Sequence, residues 1–271
     1  MKLPIPVEFR GKIYTEMDLK EPSPNVLADT ESALKKGQHR AVATMVGGVL
    51  SALRSTSGDI VDRKELEQAA RKFPLRSAEV AVIYSLLERD EDDGIEGVYT
   101  CPRCGEKIVC EYVDEYDDTR DHIRSLKVVN CDSNGDQIAP LIFFELSSPV
   151  DIVTTDRETL RVSDIGMRHP TVADAMTVEA QIGADVNIKF QMALMAESLE
   201  RINGEEVNRS FASSYGMMVM NKISRTDLIA ISKMTTAFGI DQTVQKKCHE
   251  CGKVWEEVVN TSNFFVSALD S

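Results

Sequence analysis

Long apolar runs are missing from this sequence, and so are the short motifs that announce most catalytic machinery. No stretch reaches the roughly 18 apolar residues needed to span a bilayer. The start, Met1-Lys2-Leu3-Pro4-Ile5-Pro6, has no h-region of a secretory signal. Neither membrane insertion nor secretion is expected. Basic runs stop at two or three residues, and 44 acidic side chains outnumber 31 basic ones, leaving a net charge of −13. A broad nucleic-acid footprint needs clustered cations that displace counterions, so no nucleic-acid partner is expected. The chain has no Gly-x-Gly-x-x-Gly, Walker loop, His-Glu-x-x-His or Gly-x-Ser-x-Gly. Histidine is scarce, four in 271 residues, and His39, His122 and His169 are scattered singles. His169 precedes Pro170 as Glu21 precedes Pro22, which reads as a tolerant surface position rather than a catalytic base. Acidic pairs such as Glu256-Glu257 read as solvated charge rather than an acid/base couple. Nothing here predicts an enzyme.

What the chain does have is cysteine in a pattern. Four of its six cysteines form two Cys-x-x-Cys pairs, Cys101-Pro102-Arg103-Cys104 and Cys248-His249-Glu250-Cys251. That spacing reads as metal ligands in a reducing compartment, so a cytosolic protein is expected. The pairs lie 147 residues apart (248 − 101), and similar text precedes each. Lys20-Glu21-Pro22-Ser23 stands 81 residues before Cys101, and Arg168-His169-Pro170-Thr171 stands 80 before Cys248. Leu75-Arg76-Ser77 and Ser224-Arg225-Thr226 fall nearly in step, each opening an apolar run. The expected architecture is α+β: a tandem duplication of a β-hairpin, helical bundle and zinc-knuckle unit, the two copies joined at a zinc-ribbon-like site. Residues 1–113 are the first copy, 114–148 an acidic join with an extra hairpin, and 149–271 the second copy.

Within the first copy, alternation around Arg10-Gly11 predicts a hairpin over residues 5–19. Helices are predicted from Val26 to Leu34 and over 39–54, with Gly47-Gly48 marking close helix packing or, alternatively, a kink. Asp62 to Lys72 reads as a solvated helix with Leu66 and Ala69 or Ala70 inward, and another helix starts at Ser77. The acidic run Arg89 to Gly94 lacks the ligand spacing of a calcium loop and reads as a turn. In the join, Asn134-Gly135 predicts a hairpin over 126–146. The second copy is expected to hold a hairpin from Ile152 to Met167 and helices at about 171–182, 188–202, 208–221 and 225–237. Met192, Met195, Met217, Met218, Met220 and Met234 fall in these helices, as irregular core filling or adaptable surface. The aromatic tail at Phe264-Phe265 is open to either packing or docking.

Zinc takes four thiolate or imidazole ligands in a tetrahedron, and one Cys-x-x-Cys turn supplies two. Cys101, Cys104, Cys248 and Cys251 are the expected ligands of one shared structural zinc. Gly105 and Gly252, each directly after the second cysteine, suit the tight turn that aims amides at thiolate sulfur. Cys110 and Cys131 could join the first pair instead, but Glu257 stands where Cys110 would recur. A thioredoxin-like pair would need a βαβ setting, and His249 between two ligands is expected to point outward. Four thiolates leave no open coordination position, so the site is expected to be structural.

The arrangement resembles the baseplate hub and hub-assembly proteins of contractile-tailed bacteriophages of the T-even type. The knuckles carry the likeness, together with the hairpin that leads into a Pro-Ser or Pro-Thr helix start, over about 17–113 and 165–259. Phe9-Arg10-Gly11-Lys12-Ile13-Tyr14, running on to Leu19-Lys20-Glu21-Pro22, is also similar to the start of phage tail assembly chaperones. The resemblance implies a virion or assembly protein acting through protein–protein contacts. Its partners would be other tail and baseplate proteins, the tape-measure protein among them, in the host cytoplasm or the virion. It carries over no catalytic residues. A zinc-ribbon module acting on nucleic acid or transcription machinery is the alternative.

Overall fold

Arg10 and Gly11 adopt φ values of 52° and 71°, the left-handed pair that a two-residue hairpin turn requires. They join β1 (Lys2–Phe9) to β2 (Lys12–Leu19), with Phe9 opposite Lys12. This computed structural model describes residues 1–87, 95–113, 123–125, 128–129, 138–139, 141–154, 156–183, 188–236, 239–240 and 243–258. The predicted turns at 89–94 and Asn134-Gly135, the acidic stretch 114–121, His122, Cys131 and the tail at 260–265 lie outside the described residues.

Ser23 accepts a hydrogen bond from the Val26 amide and Pro24 presets the first turn, so α1 (Pro24–Leu34) begins there. Next comes α2 (Gln38–Val49), which buries Ala41, Val42, Met45, Val46 and Val49. Its Gly47-Gly48 is a packing feature. A Cβ on Gly48 would sit 2.5 Å from Val26 Cγ1 of α1, and one on Gly47 3.3 Å from Glu67 Cγ. The helix predicted to reach 54 stops at Val49, and β3 (Leu50–Arg54) pairs antiparallel with β2. Leu50 and Leu53 are buried in the strand, whose backbone groups are taken up by the edge of β2. A 3₁₀ turn at Arg63–Glu65 and α3 (Leu66–Ala70) replace the longer helix expected over 62–72, with Leu66, Ala69 and Ala70 buried. A further helix, α4 (Leu75–Leu87), follows, then β4 (Ile95–Thr100) and β5 (Lys107–Val113) as an antiparallel pair, with β6 (Ile123–Ser125) parallel to β5.

After β7 (Val128–Val129), the chain enters a long hairpin of β8 (Leu141–Val153) and β9 (Thr159–Arg168). Leu141 to Glu145 thus pair with β9, and Val128–Val129 pair with β12 (Gly239–Ile240). The hairpin expected from Ile152 begins at Leu141, and its added length buries Ile142 and Leu146. Beyond it run α5 (Val172–Ile182), α6 (Ile188–Glu197), β10 (Leu199–Ile202) and β11 (Glu205–Glu206). The helix predicted through 202 ends at Glu197. Asn203 and Gly204, at φ 52° and 78°, turn β10 back onto β11, a hairpin signal the helical reading overran. Helices α7 (Arg209–Lys222) and α8 (Arg225–Thr236) and the pair β13 (Thr243–Lys247) and β14 (Val254–Val258) complete the order.

Two antiparallel sheets therefore anchor the fold, β1-β2-β3 and β11-β10-β9-β8. In each, a strand that follows two helices has joined the second arm of a hairpin. Two helices and a knuckle follow in both halves. Each sheet faces its own buried cluster, with Met17, Leu53 and Phe73 in the first and Ile152, Ile165 and Met220 in the second. Met195 and Met220 are core, whereas Met218 and Met234 are more than a third exposed. The halves meet backbone to backbone. Val172 N–H donates to Phe73 O, and Leu75 N–H to Pro170 O, both at 2.9 Å.

Candidate metal centre

The cysteines are placed by two strand–turn–strand knuckles built alike. In the first, Thr100 pairs with Lys107, the Cys101 amide donates to Glu106 O at 2.8 Å, and the Gly105 amide donates to Cys101 O at 3.0 Å. In the second, Lys247 pairs with Val254, the Cys248 amide donates to Lys253 O at 2.8 Å, and the Gly252 amide donates to Cys248 O at 2.9 Å. Both turns need a left-handed residue after the second cysteine, which Gly105 (φ 78°) and Gly252 (φ 65°) supply. The knuckles are not of thioredoxin type, since antiparallel strands flank each one.

The four sulfurs lie within 4.8 Å of one another. Two close approaches cross between halves: Cys101 Sγ to Cys251 Sγ is 3.6 Å and Cys104 Sγ to Cys248 Sγ is 3.5 Å. These are far too long for a disulfide bond of about 2.05 Å, and all four residues are free cysteines. A tetrahedron of thiolates about 2.3 Å from a zinc ion has sulfurs about 3.8 Å apart, so the spacing fits a metal ion at the centre. Cys101 and Cys248 are buried at the margin of the first core beside Trp255, while Cys104 is exposed. His249 stays outside the four-sulfur group and is exposed, and the Cys110 side chain lies outside what the structure describes.

The four thiols are also coupled electrostatically. Burial pushes the Cys101 thiol up, but the amides of Cys104 and Arg103 and the Cys104 and Cys251 thiols outweigh it and bring it down to about 6. For Cys104 the Glu106 amide favours the thiolate, yet burial of the sulfur and the three neighbouring sulfurs push the thiol up to about 12. One sulfur ionises at the expense of another. A divalent cation at the centre is what would let all four be thiolates together.

The other predicted positions fare differently. His169 is not a surface residue; it is 4% exposed, and its Nε2–H donates to Ala139 O at 3.1 Å. The reason is its neighbour. Arg168 forms an ion pair with the buried Asp174 and another with Glu200 at 3.0 Å, and Asp174 closes a capping box with Thr171, drawing this segment into the joint. His39 stacks on Phe190 with ring centroids 5.3 Å apart, and its Nδ1 lies 3.5 Å from Glu179 Oε2. Sequence reasoning missed Glu179. Its only trace was a helix start at Gly37, which has no side chain to cap it. His39, Glu79, His169 and Phe190 line a cavity of about 260 Å³ between the halves, where Glu79 is paired with Arg76 at 2.7 Å.

No family model, curated protein or solved structure matches this chain. Its own fold and site define it as a mixed α+β protein with a four-cysteine cluster able to hold a metal ion. Among the described residues, no helix is long and apolar enough to cross a membrane.

Proposed function

We propose that Cys101, Cys104, Cys248 and Cys251 hold one structural zinc, and that it clasps two duplicated copies of a single unit. On this reading the chain is a tail baseplate hub subunit, or a hub and tail-assembly factor, of a contractile-tailed phage. It acts through contacts with other tail proteins and catalyses nothing. The observation that carries the zinc is the convergence of four thiols from two knuckles, with sulfur contacts of 3.5 and 3.6 Å that cross between the halves. The duplication is supported by the shared element order and by an equivalent anchor in each half. Ser77 of α4 accepts from the Ile5 amide and donates to its carbonyl, and Asp227 of α8 accepts from the Ser147 amide and hydroxyl. The assembly role is supported by the sequence resemblance described above and by a site with no coordination position left for substrate.

Elemental analysis of reduced, purified protein tests the clasp. One zinc per chain is expected, and Cys104→Ser or Cys251→Ser should each lose it and lower the melting temperature. Two metals per chain, none, or an unaltered Cys251→Ser protein would overturn the shared site. Co-expression with phage hub and tape-measure proteins tests the role, a stoichiometric complex by size exclusion being the expected result. No complex, together with DNA retention that collapses steeply with salt, would replace it with the nucleic-acid reading.

A further inference from the structure

The whole chain carries −13, yet its two knuckles run the other way. Residues 101–107 and 247–253 hold Arg103, Lys107, Lys247 and Lys253 against Glu106 and Glu250, so 4 − 2 leaves +2 there and −15 on the rest. All four cations are exposed, and the backbone ties each one to a ligand. Arg103 lies between Cys101 and Cys104, and its amide donates to Cys101 Sγ at 3.4 Å. Lys107 is the strand partner of Thr100, the residue before Cys101. Lys247 directly precedes Cys248, and the carbonyl of Lys253 accepts from the Cys248 amide. Each knuckle thus carries one cation on a strand, Lys107 of β5 or Lys247 of β13, and one in its turn, Arg103 or Lys253.

Exposed cations on an acidic protein invite the reading of a docking patch for an anionic partner. The charge of the site argues otherwise. Four thiolates and one zinc ion sum to −2, and that dianion sits on a body that is itself strongly negative. We propose that Arg103, Lys107, Lys247 and Lys253 are the counter-charge of the zinc–thiolate cluster. This rests on the zinc reading above. With −2 at the cluster and +2 around it, the loaded pair of knuckles is close to neutral. It offers little field to a nucleic acid or an acidic peptide. The cations act through the thiolates: they offset repulsion among the sulfurs and the surrounding carboxylates, and so raise the affinity for the ion.

The test is zinc competition with a chromophoric chelator, on the full reduced chain at fixed pH. The R103Q/K107Q/K247Q/K253Q variant is expected to lose zinc affinity about tenfold at low ionic strength, and the gap should narrow at about 1 M salt. A charge-conserving variant, R103K/K107R/K247R/K253R, should match the wild type. An unchanged affinity in the glutamine variant, or a loss indifferent to salt, overturns the proposal while leaving the zinc clasp standing. So does retention of the zinc-loaded wild type on immobilised heparin that the glutamine variant loses. A wild-type chain that purifies without zinc overturns both.

Discussion

The carboxylate of Glu179 on α5 accepts from the Gln38 amide at 2.7 Å and the His39 amide at 3.2 Å, so α2 is capped from the other half. Gly37 fits this arrangement sterically, since a Cβ there would come within 2.6 Å of Glu179 Oε2. Glu179→Ala strands two amides at the start of α2 and should cost about 1–2 kcal/mol in a urea titration. Glu179→Gln should recover part of that. The two buried imidazoles make a second prediction. Burial lowers the pKa of His39, against the opposing pull of Glu179 and Glu79, and burial lowers that of His169 against its Ala139 bond. A folded-state value below the usual 6.5 means that the unfolded chain takes up protons the folded chain refuses. Their contribution is therefore whole above pH 6.5 and shrinks as pH falls through the folded values. His169→Gln keeps a donor for the Ala139 carbonyl, so the urea midpoint should fall less between pH 7.5 and 5.5 in that variant than in the wild type. Equal falls would remove His169 from the account. Neither role was legible from the isolated histidines, because what gives them meaning is a partner some 140 residues away in Glu179 or the capping network of Arg168 and Asp174.

Among the elements, local chemistry was readable where a turn or cap dictates backbone angles. Arg10-Gly11, Ser23-Pro24 and the glycines after each Cys-x-x-Cys all took the conformations their residue types favour. Boundaries without such a signal were misread. No Gly or Pro separates Val49 from Leu50 or Glu197 from Leu199, and the apolar spacing serves helix and strand alike. Only the free edge of a neighbouring hairpin arm converts those residues to β3 and β10, and that edge is a tertiary fact. Gly47-Gly48 was legible because two glycines inside an apolar helix need a reason. Close approach of α1 provides one, and it is testable. Gly48→Ala places a methyl 2.5 Å from Val26 Cγ1 and should destabilise by about 1–3 kcal/mol. Adding Val26→Ala should return part of the loss, whereas additive effects in the double mutant would mean that the two positions do not press on each other.

At the scale of the molecule, the sulfur cluster was readable because metal chemistry imposes a spacing on sequence that packing does not. The joint between the halves was not, since it is made of main-chain bonds such as Val172 to Phe73, and any residue has an amide. If zinc closes the cluster, removing it should weaken the whole fold. Free zinc at a hundredfold excess over its dissociation constant stabilises by about 2.7 kcal/mol. A chelator should thus lower the melting temperature of the wild type and leave Cys104→Ser where it was. A wild type that melts alike with and without chelator would remove the metal from the stability of the fold. The separation of the two knuckles also orders events during synthesis. Cys101 and Cys104 leave the ribosome 147 residues before Cys248 (248 − 101), and until then they are half of a cluster. A nascent or truncated chain that stops short of Cys251 presents exposed thiols and no closed site. Firm metal retention would therefore report that translation has passed that point, and incomplete chains would be marked for oxidation or removal by their own unfinished centre.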